Sequence, residues 1–332
     1  MKKGFTLIEL LAVIVILAVI LVIAISQVLK VVDNSRISAY LKNEQMVLKA
    51  IDLYVSRNTG SLPGEIGSTT EVSINYLVSN GMLTEIKNPY NKTEDCTGYV
   101  TIMKLSDTEY DYTPHLKCGL YIHDSSDDGL VGHWKLDGNA LDYSANNNHG
   151  NIYNVTLSTD RFNRENKSMS FNGVDSFIDL NSALIPNSNF TFMSWINFPQ
   201  IEKTSIDNTN SHVIVSQFGD SFTLYACTTF GTADMQMRLI VSTPEVIVGP
   251  DLRGEGWRHI VLTRSGNMWT LYVDGKEYIS KLDQRNVSQT GNTLIGRSTN
   301  SGRHYNGLID DVRIYNRALL DREIKLLYES TK

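Results

Sequence analysis

The 332-residue sequence predicts an α+β unit, a long N-terminal helix with a small antiparallel sheet, followed by an all-β jelly-roll sandwich. No proline precedes Pro63 and no glycine lies between Gly4 and Gly60, so one helix can cover residues 5–57. From residue 130 onward, short β-rich runs alternate with turns of Gly, Asn, Asp and Ser. Such runs over about 200 residues are typical of a jelly roll.

The front of the predicted helix is apolar on all sides. Phe5–Ile25 spans 21 residues and contains a single charge, Glu9. As a helix it is about 32 Å long, enough to cross a hydrocarbon core. Lys2 and Lys3 would keep its amino end on the cytoplasmic side. A carboxylate inside such a span is costly and predicts a partner for Glu9.

The order Gly4-Phe-Thr-Leu-Ile-Glu9 resembles the class III leader of type IV pilins. The resemblance implies that a prepilin peptidase removes residues 1–4 and that Phe5 becomes an N-methylated terminus. It also implies that Glu9 pairs with the terminal amine of a neighbouring pilin subunit when residues 5–25 enter the filament core. The alternative is an uncleaved membrane anchor, which leaves Glu9 unexplained.

Residues 58–126 are expected to form a globular head on the rear half of the helix. The pattern predicts a short helix at Val72–Val78 and strands at Gly98–Leu105, Glu109–Thr113 and Cys118–Ile122. Cys96 and Cys118 lie in this one segment, and an exported chain could oxidise them to a disulfide. Three reduced cysteines remain the alternative, and Cys227 is expected to be a buried thiol.

A polar linker at 127–129 leads into the sandwich, predicted at 130–328, with a hairpin turn at Asp274-Gly275 and a short closing helix at Leu320–Tyr328. Six stretches resemble laminin-G-like, concanavalin A-like jelly rolls, in the same order. They are Gly129–Asn139, Ser168–Asp175, Phe190–Trp195, Trp257–Thr263, Leu271–Gly275 and Asn306–Leu319. The resemblance implies a binding module for glycans or glycoproteins.

Acidic and amide residues near the first and last strands suggest a structural calcium site. In the resembled family these strands are neighbours and often hold Ca²⁺, which takes six to eight oxygen ligands. Asp137 and Asp310 are the expected ligands, with Asn139 or Asp142 assisting. The alternative is that these side chains only make turn and cap hydrogen bonds.

A loop of polar and aromatic residues is the best candidate for a glycan site. It contains Arg297, Asn300, Arg303, His304 and Tyr305, and the alternative is a solvated loop without a ligand. All four tryptophans are expected to pack in the structure, and His133 to be a half-exposed strand residue. We find no Glu-x-Asp-x-x-Glu string after residue 129, no nucleophile elbow and no zinc spacing, so an enzyme is not expected.

The charge composition also limits the classes of partner that are expected. The formal net charge is −6 and no basic cluster stands out, so nucleic acid is not expected. The sequence therefore predicts a modular minor type IV pilin, held in the cytoplasmic membrane before assembly and then in an extracellular pilus, at its tip, as an adhesin. The alternatives are a structural or assembly-priming pilin without ligand, a pseudopilin of type II secretion, and, as the weakest, an extracellular glycosidase.

Overall fold

The computed structural model describes residues 7–118, 121–122, 128–144, 146–199, 212–218, 221–228, 235–241, 245–298 and 302–332. Helix α1 covers Leu7–Arg57. Its rear half buries one face, because Tyr40, Val47, Ile51 and Tyr54 recur at helical spacing and all lie in one hydrophobic core. The helix ends where the Asn58 side chain donates a hydrogen bond to the Tyr54 carbonyl, 2.9 Å away.

The head contains a four-stranded antiparallel sheet in the order β1-β2-β3-β4. The strands are β1 Thr69–Ser73, β2 Thr97–Lys104, β3 Tyr110–Cys118 and β4 Tyr121–Ile122, with helix α2 at Ile74–Ser79. The predicted helix at Val72–Val78 begins two residues too early, because Ser73 ends β1 and caps α2 by accepting the Tyr76 N–H.

Of the two last strands predicted for the head, Glu109–Thr113 is longer than expected and Cys118–Ile122 is shorter, since only Tyr121–Ile122 forms β4. β3 continues from Tyr110 through Pro114 to Cys118. Pro114 pairs only with Val100 of β2, since β4 pairs with β3 only at Lys117 and Cys118. A proline is tolerated where its strand has a free edge. Cys96 and Cys118 form a disulfide in the core of the head, and Cys227 is a buried thiol of the sandwich.

The sandwich consists of two antiparallel sheets with one large core between them. The eight-stranded sheet has the order β17-β16-β15-β10-β19-β8-β7, with β5 also paired to β19. Its strands are β5 Leu130–Trp134, β7 Thr156–Ser158, β8 Ser168–Asn172, β10 Phe190–Asn197, β15 Trp257–Ser265, β16 Met268–Val273, β17 Lys276–Leu282 and β19 Asn306–Tyr315.

The seven-stranded sheet has the order β14-β13-β12-β11-β18-β9-β6. Its strands are β6 Asn151–Tyr153, β9 Phe177–Asp179, β11 His212–Gln217, β12 Phe222–Thr228, β13 Met235–Ile240, β14 Glu245–Asp251 and β18 Thr293–Ile295. The predicted hairpin at Asp274-Gly275 joins β16 to β17, and both residues have the positive φ that a type I′ turn requires.

The tryptophans have three different environments. Trp134 and Trp269 lie fully buried in the core between the sheets. Trp195 is buried on the other side of the eight-stranded sheet, stacked on Tyr328. Trp257 is only half-buried.

The closing helix α3, Asp321–Thr331, connects the sandwich to the head. Its residues Ile324 and Leu327 pack on Met193 and Tyr315, which point out of the eight-stranded sheet. The neighbouring Leu326 packs instead on the core of the head. An ion pair between Lys135 and Asp111 adds a second link. The sandwich thus contacts the head through its eight-stranded sheet. The seven-stranded sheet has one face that points away from the core, called the outward face below. This face lies on the side of the sandwich opposite the contact with the head.

Candidate functional site

The predicted processing and assembly residues fall largely outside the described part of the chain. Gly4 and Phe5 lie in residues 1–6, and Glu9 lies in α1 but its side chain is not described. Among the described residues, no helix combines the length and the apolar character needed to cross a membrane. The cleavage site and the role of Glu9 therefore stay predictions.

Asp142, an expected calcium ligand, organises a loop instead. Its Oδ1 accepts the N–H groups of His133 and Ser144 at 2.9 and 2.8 Å, and its Oδ2 accepts the N–H of Asn148 at 2.8 Å. The Ser144 hydroxyl donates a fourth hydrogen bond, at 2.8 Å. Because both carboxylate oxygens are already occupied by donors, this side chain does not fit a calcium site. Asp142 instead makes the hydrogen bonds of an Asx turn, the role that was expected as the alternative to calcium binding.

The other expected calcium ligands also have partners of their own. Asp310 forms an ion pair with Arg161, Asp137 lies 3.6 Å from the Lys167 ammonium, and Asn139 accepts the Leu141 N–H at 2.9 Å. Burial raises the pKa of Asp310 to about 8, although Arg161 opposes this rise. Desolvation of the carboxylate is the physical cause.

Asp137 and Asp310 do line one cavity of about 230 Å³. The cavity contains four carboxylates and four basic side chains, together with His133; they are Asp111, Asp137, Asp310, Asp311, Lys135, Arg161, Arg164 and Arg313. A calcium site needs uncompensated oxygens, and these are compensated by cations. No group of three acidic, histidine or cysteine side chains among the described residues is arranged to hold a metal ion. Calcium binding stays a prediction that this donor set does not favour.

His133 belongs to the same charged cluster, and the expectation of a half-exposed side chain is wrong. His133 is buried, and its Nε2 lies 2.7 Å from the Asp311 carboxylate. Burial lowers the pKa of His133 to about 4, with a contribution from the nearby Arg313. The imidazole is therefore neutral at physiological pH, and its Nε2–H donates a hydrogen bond to the Asp311 carboxylate.

The predicted glycan residues lie on a tight hairpin at the outward face. Arg297 and His304 pair across it, and the Ser298 N–H donates to the Arg303 carbonyl at 3.0 Å. Asn300 lies outside the described residues. Tyr305 is fully buried in the core of the sandwich, and its hydroxyl donates to the Asn197 carbonyl at 3.3 Å. The expectation that Tyr305 contacts a ligand is therefore wrong, because the residue alternates to the core side.

An aromatic stack adjoins this hairpin, and the sequence reasoning missed it. Tyr153 and Phe177 are cross-strand neighbours on β6 and β9, with ring centroids 4.4 Å apart and planes only 10° from parallel. The Arg297 guanidinium lies 4.7 Å from the Phe177 centroid. Tyr153 is 43% exposed. The signal available from the sequence was the alternation of β9, because Ile178 at its centre is buried in the core while Phe177 and Asp179 on either side are not.

A polar network continues the outward face on the same strands. The Asp179 carboxylate accepts hydrogen bonds from the Asn292 amide, at 2.9 and 3.1 Å, and from the Asn181 N–H, at 2.7 Å. The Asn151 amide donates to the Asn181 side chain at 2.8 Å. These groups are ordered hydrogen-bonding partners beside an aromatic surface, a combination that suits a polar ligand with apolar patches.

The opposite half of the outward face is more buried. Tyr225 and Cys227 point out of β12 and lie in a small apolar cluster with Val213 and Ile240. Burial raises the pKa of both Tyr225 and Cys227, and Arg303 is close enough to oppose the rise. Arg238 binds Glu245 at 2.7 Å beside them. Arg303, on the neighbouring hairpin, thus lies near this part of the face.

Two family models match the chain. Residues 1–25 match the model described as the prokaryotic N-terminal methylation motif. Residues 172–325 match the model described as the concanavalin A-like lectin/glucanases superfamily. A search of curated proteins finds no sequence that matches the chain.

Solved structures similar to this chain include proteins of several kinds. Domain 4 of an extracellular arabinanase from Geobacillus stearothermophilus is 17% identical, with a TM-score of 0.49, over 61% of this chain and 99% of that one. The binding domain of Paraclostridial Mosquitocidal Protein 1 is 21% identical, with a TM-score of 0.49, over 61% and 52%. A sialidase of Trypanosoma rangeli is 15% identical, with a TM-score of 0.47, over 72% and 43%. The chain thus spans about half or less of the last two.

The family matches agree with the geometry at both ends of the chain. The first lies on the leader motif and the front of α1, and the second covers strands of both sheets of the sandwich. The chain carries a type IV pilin leader at residues 1–25 and a laminin-G-like, concanavalin A-like lectin domain at residues 172–325.

Proposed function

We propose that this chain is a modular minor pilin of a type IV pilus and that its sandwich binds glycans or glycoproteins as a non-enzymatic adhesin. One observation carries the proposal. The sandwich is attached to the pilin-like head through α3 and the eight-stranded sheet, so the outward face of the other sheet is left for a partner.

The N-terminal segment would carry out the assembly of the protein into the pilus. A prepilin peptidase would cut after Gly4, and Phe5 would become the methylated terminus. After a stage in the cytoplasmic membrane, residues 5–25 would enter the filament core, where Glu9 would pair with the terminal amine of a neighbouring subunit. The leader match at residues 1–25 supports this order of events.

We place the protein at the pilus tip. A sandwich that begins at residue 130 is larger than the head that bears it, and repeating it along a close-packed shaft would crowd neighbouring subunits. Immunogold labelling with an antibody to the sandwich is expected at filament ends. Regular labelling along the shaft would contradict the tip position.

The binding role is tested best with intact pili. Sheared pili that contain the full chain should bind a subset of a glycan array, and pili from a strain lacking this chain should not. Retained piliation in that strain, with loss of binding, supports an adhesin. Lost piliation supports the structural or assembly-priming alternative, and absence of any glycan or matrix-protein binding contradicts adhesion.

The same pili test the non-enzymatic part of the proposal. Hydrolysis of a glycoside needs two carboxyl groups flanking the bond, and the outward carboxylates Asp179 and Glu245 are held by Asn292 and Arg238. Incubation of bound glycans with the pili should release no new reducing ends. Their release at a rate that depends on this chain would identify a glycosidase.

A further inference from the structure

The arginines of the sandwich divide into two groups. Eight of them contact a carboxylate: Arg161, Arg164, Arg238, Arg253, Arg258, Arg285, Arg313 and Arg317. Among the described residues, no ion pair is found for Arg264, Arg297 or Arg303; Arg264 is buried and donates to the Gly266 carbonyl at 3.0 Å, so Arg297 and Arg303 form the second group. Both lie on the hairpin that borders the aromatic stack of Tyr153 and Phe177.

The surroundings of Arg297 leave part of its guanidinium group without a hydrogen bond. Its Nε is buried and has no hydrogen-bond partner among the described residues, and the Phe177 ring covers one side of the group. One carboxylate near this hairpin is Asp175, whose charge opposes the lowering of the His304 pKa by burial. Asp175 is already engaged by the amides of Asn154 and Asn172, each at 2.8 Å.

From this arrangement, and resting on the adhesion role proposed above, we propose that the outward face binds an acidic glycan of at least two sugars. The carboxylate of one sugar would pair with Arg297 and Arg303, and the adjoining sugar would lie against Tyr153.

The spacing and the chemistry of the face agree with such a ligand. Tyr153 and Arg297 both contact Phe177, with a ring spacing of 4.4 Å and a ring-to-guanidinium spacing of 4.7 Å, so an aromatic face and a cation lie close together. Guanidinium groups bind carboxylates with planar, charge-assisted hydrogen bonds. The electron-rich face of a tyrosine attracts the polarised C–H groups of a sugar ring.

The test compares acidic sugars with neutral counterparts on sheared pili that contain the full chain. One pair of probes is sialyl-lactose and lactose, and the other is digalacturonic acid and its methyl ester. The two pairs distinguish a sialic acid source from a uronic acid source. In at least one pair, the acidic form should bind about tenfold or more tightly than the neutral form, the scale of one charged hydrogen-bonded contact.

Two kinds of variant separate the charge from the aromatic surface. Arg297→Gln with Arg303→Gln should remove the preference for the acid and leave the weak binding of the neutral form. Tyr153→Ala should weaken the acidic and neutral forms together, by about tenfold, as expected of an exposed anchor at a binding surface. The matched controls are Tyr278→Ala and Lys281→Gln, both exposed on the edge strand β17 of the other sheet, and they should change neither.

The outcomes distinguish this inference from the proposed function. Equal binding of acid and neutral forms, or a preference that survives the double arginine substitution, overturns the acidic glycan and leaves the adhesin intact. Absence of binding to any glycan by wild-type pili overturns the adhesin itself. The comparison of acid with methyl ester uses wild-type protein, so it does not depend on the folding of a variant.

Discussion

Asp142 gives the sharpest test of how the first loop of the sandwich is held. Asp142→Asn keeps the size of the side chain but replaces one acceptor oxygen with an amide NH₂. Each carboxylate oxygen now accepts two hydrogen bonds, and three of the four donors are backbone N–H groups. In the asparagine, an NH₂ group replaces one carboxylate oxygen and cannot accept the two hydrogen bonds that this oxygen accepts in the wild-type protein.

The magnitude follows from the number of hydrogen bonds lost. Two buried donors lose their acceptor, and each unsatisfied buried group costs about 1–3 kcal/mol. We therefore expect the free energy of unfolding to fall by about 3 kcal/mol, or roughly 6–12 °C in Tm for a domain of this size.

Near-ultraviolet circular dichroism of the detergent-solubilised full chain would follow this loss, because Trp134 lies beside the loop and donates to the Asn148 carbonyl at 2.8 Å. Asp107→Asn is the matched control, since that side chain is 97% exposed, and it should leave Tm unchanged. The experiment is repeated with calcium and with EGTA. A loss below about 1 kcal/mol would refute the hydrogen-bond reasoning, and a wild-type Tm that falls in EGTA as far as the variant's would favour calcium.

Three further predictions concern the interior of the protein. Arg161→Met leaves the buried Asp310 and Asp311 without one of their cations and should destabilise the sandwich by about 3 kcal/mol in urea unfolding. The control is Arg164→Met, which removes a more exposed ion pair. An equal loss of stability in both variants would contradict the role of burial. Reduction of Cys96–Cys118, which closes a 22-residue separation, should cost the head about 3 kcal/mol, and an unchanged midpoint of head unfolding in dithiothreitol would exclude that contribution. Burial lowers the pKa of His259 to about 3. The stabilisation that the neutral His259 side chain contributes is therefore complete above about pH 6.5 and is lost as pH falls toward the folded pKa. His259→Phe should reduce the difference in unfolding free energy between pH 7 and pH 4.5, and an unchanged difference would show that this residue does not titrate on unfolding.

Local pattern predicted most of the backbone correctly. The long helix, the small antiparallel sheet of the head and the hairpin at Asp274-Gly275 all follow from periodicity and turn chemistry. The errors lie where local signals are short. Asn151–Tyr153 and Thr156–Ser158 are three-residue strands, too short to show an alternation by themselves.

The candidate site was predictable only in part, and for a physical reason. Arg297, Arg303 and His304 could be selected from the sequence because they cluster on one polar loop. Tyr153 and Phe177 are 24 positions apart and meet only because β6 pairs with β9. Tyr305 looked like a loop residue, yet the strand that follows turns its ring into the core. The partners of the expected calcium ligands were likewise not predictable from local sequence, because Arg161 and Lys167 come from elsewhere in the chain to pair with Asp310 and Asp137.

The sequence by itself determined the two modules of this protein, since a processing motif and a hydrophobic period are local properties of a chain. Only the tertiary structure decided how the modules are joined and which surface is left free. The apolar residues of α3 contact the sandwich on one side and the head on the other, and no local pattern states what an amphipathic helix will cover. That contact uses one face of the sandwich, and the pairing of distant strands then places Tyr153, Phe177 and Arg297 together on the other.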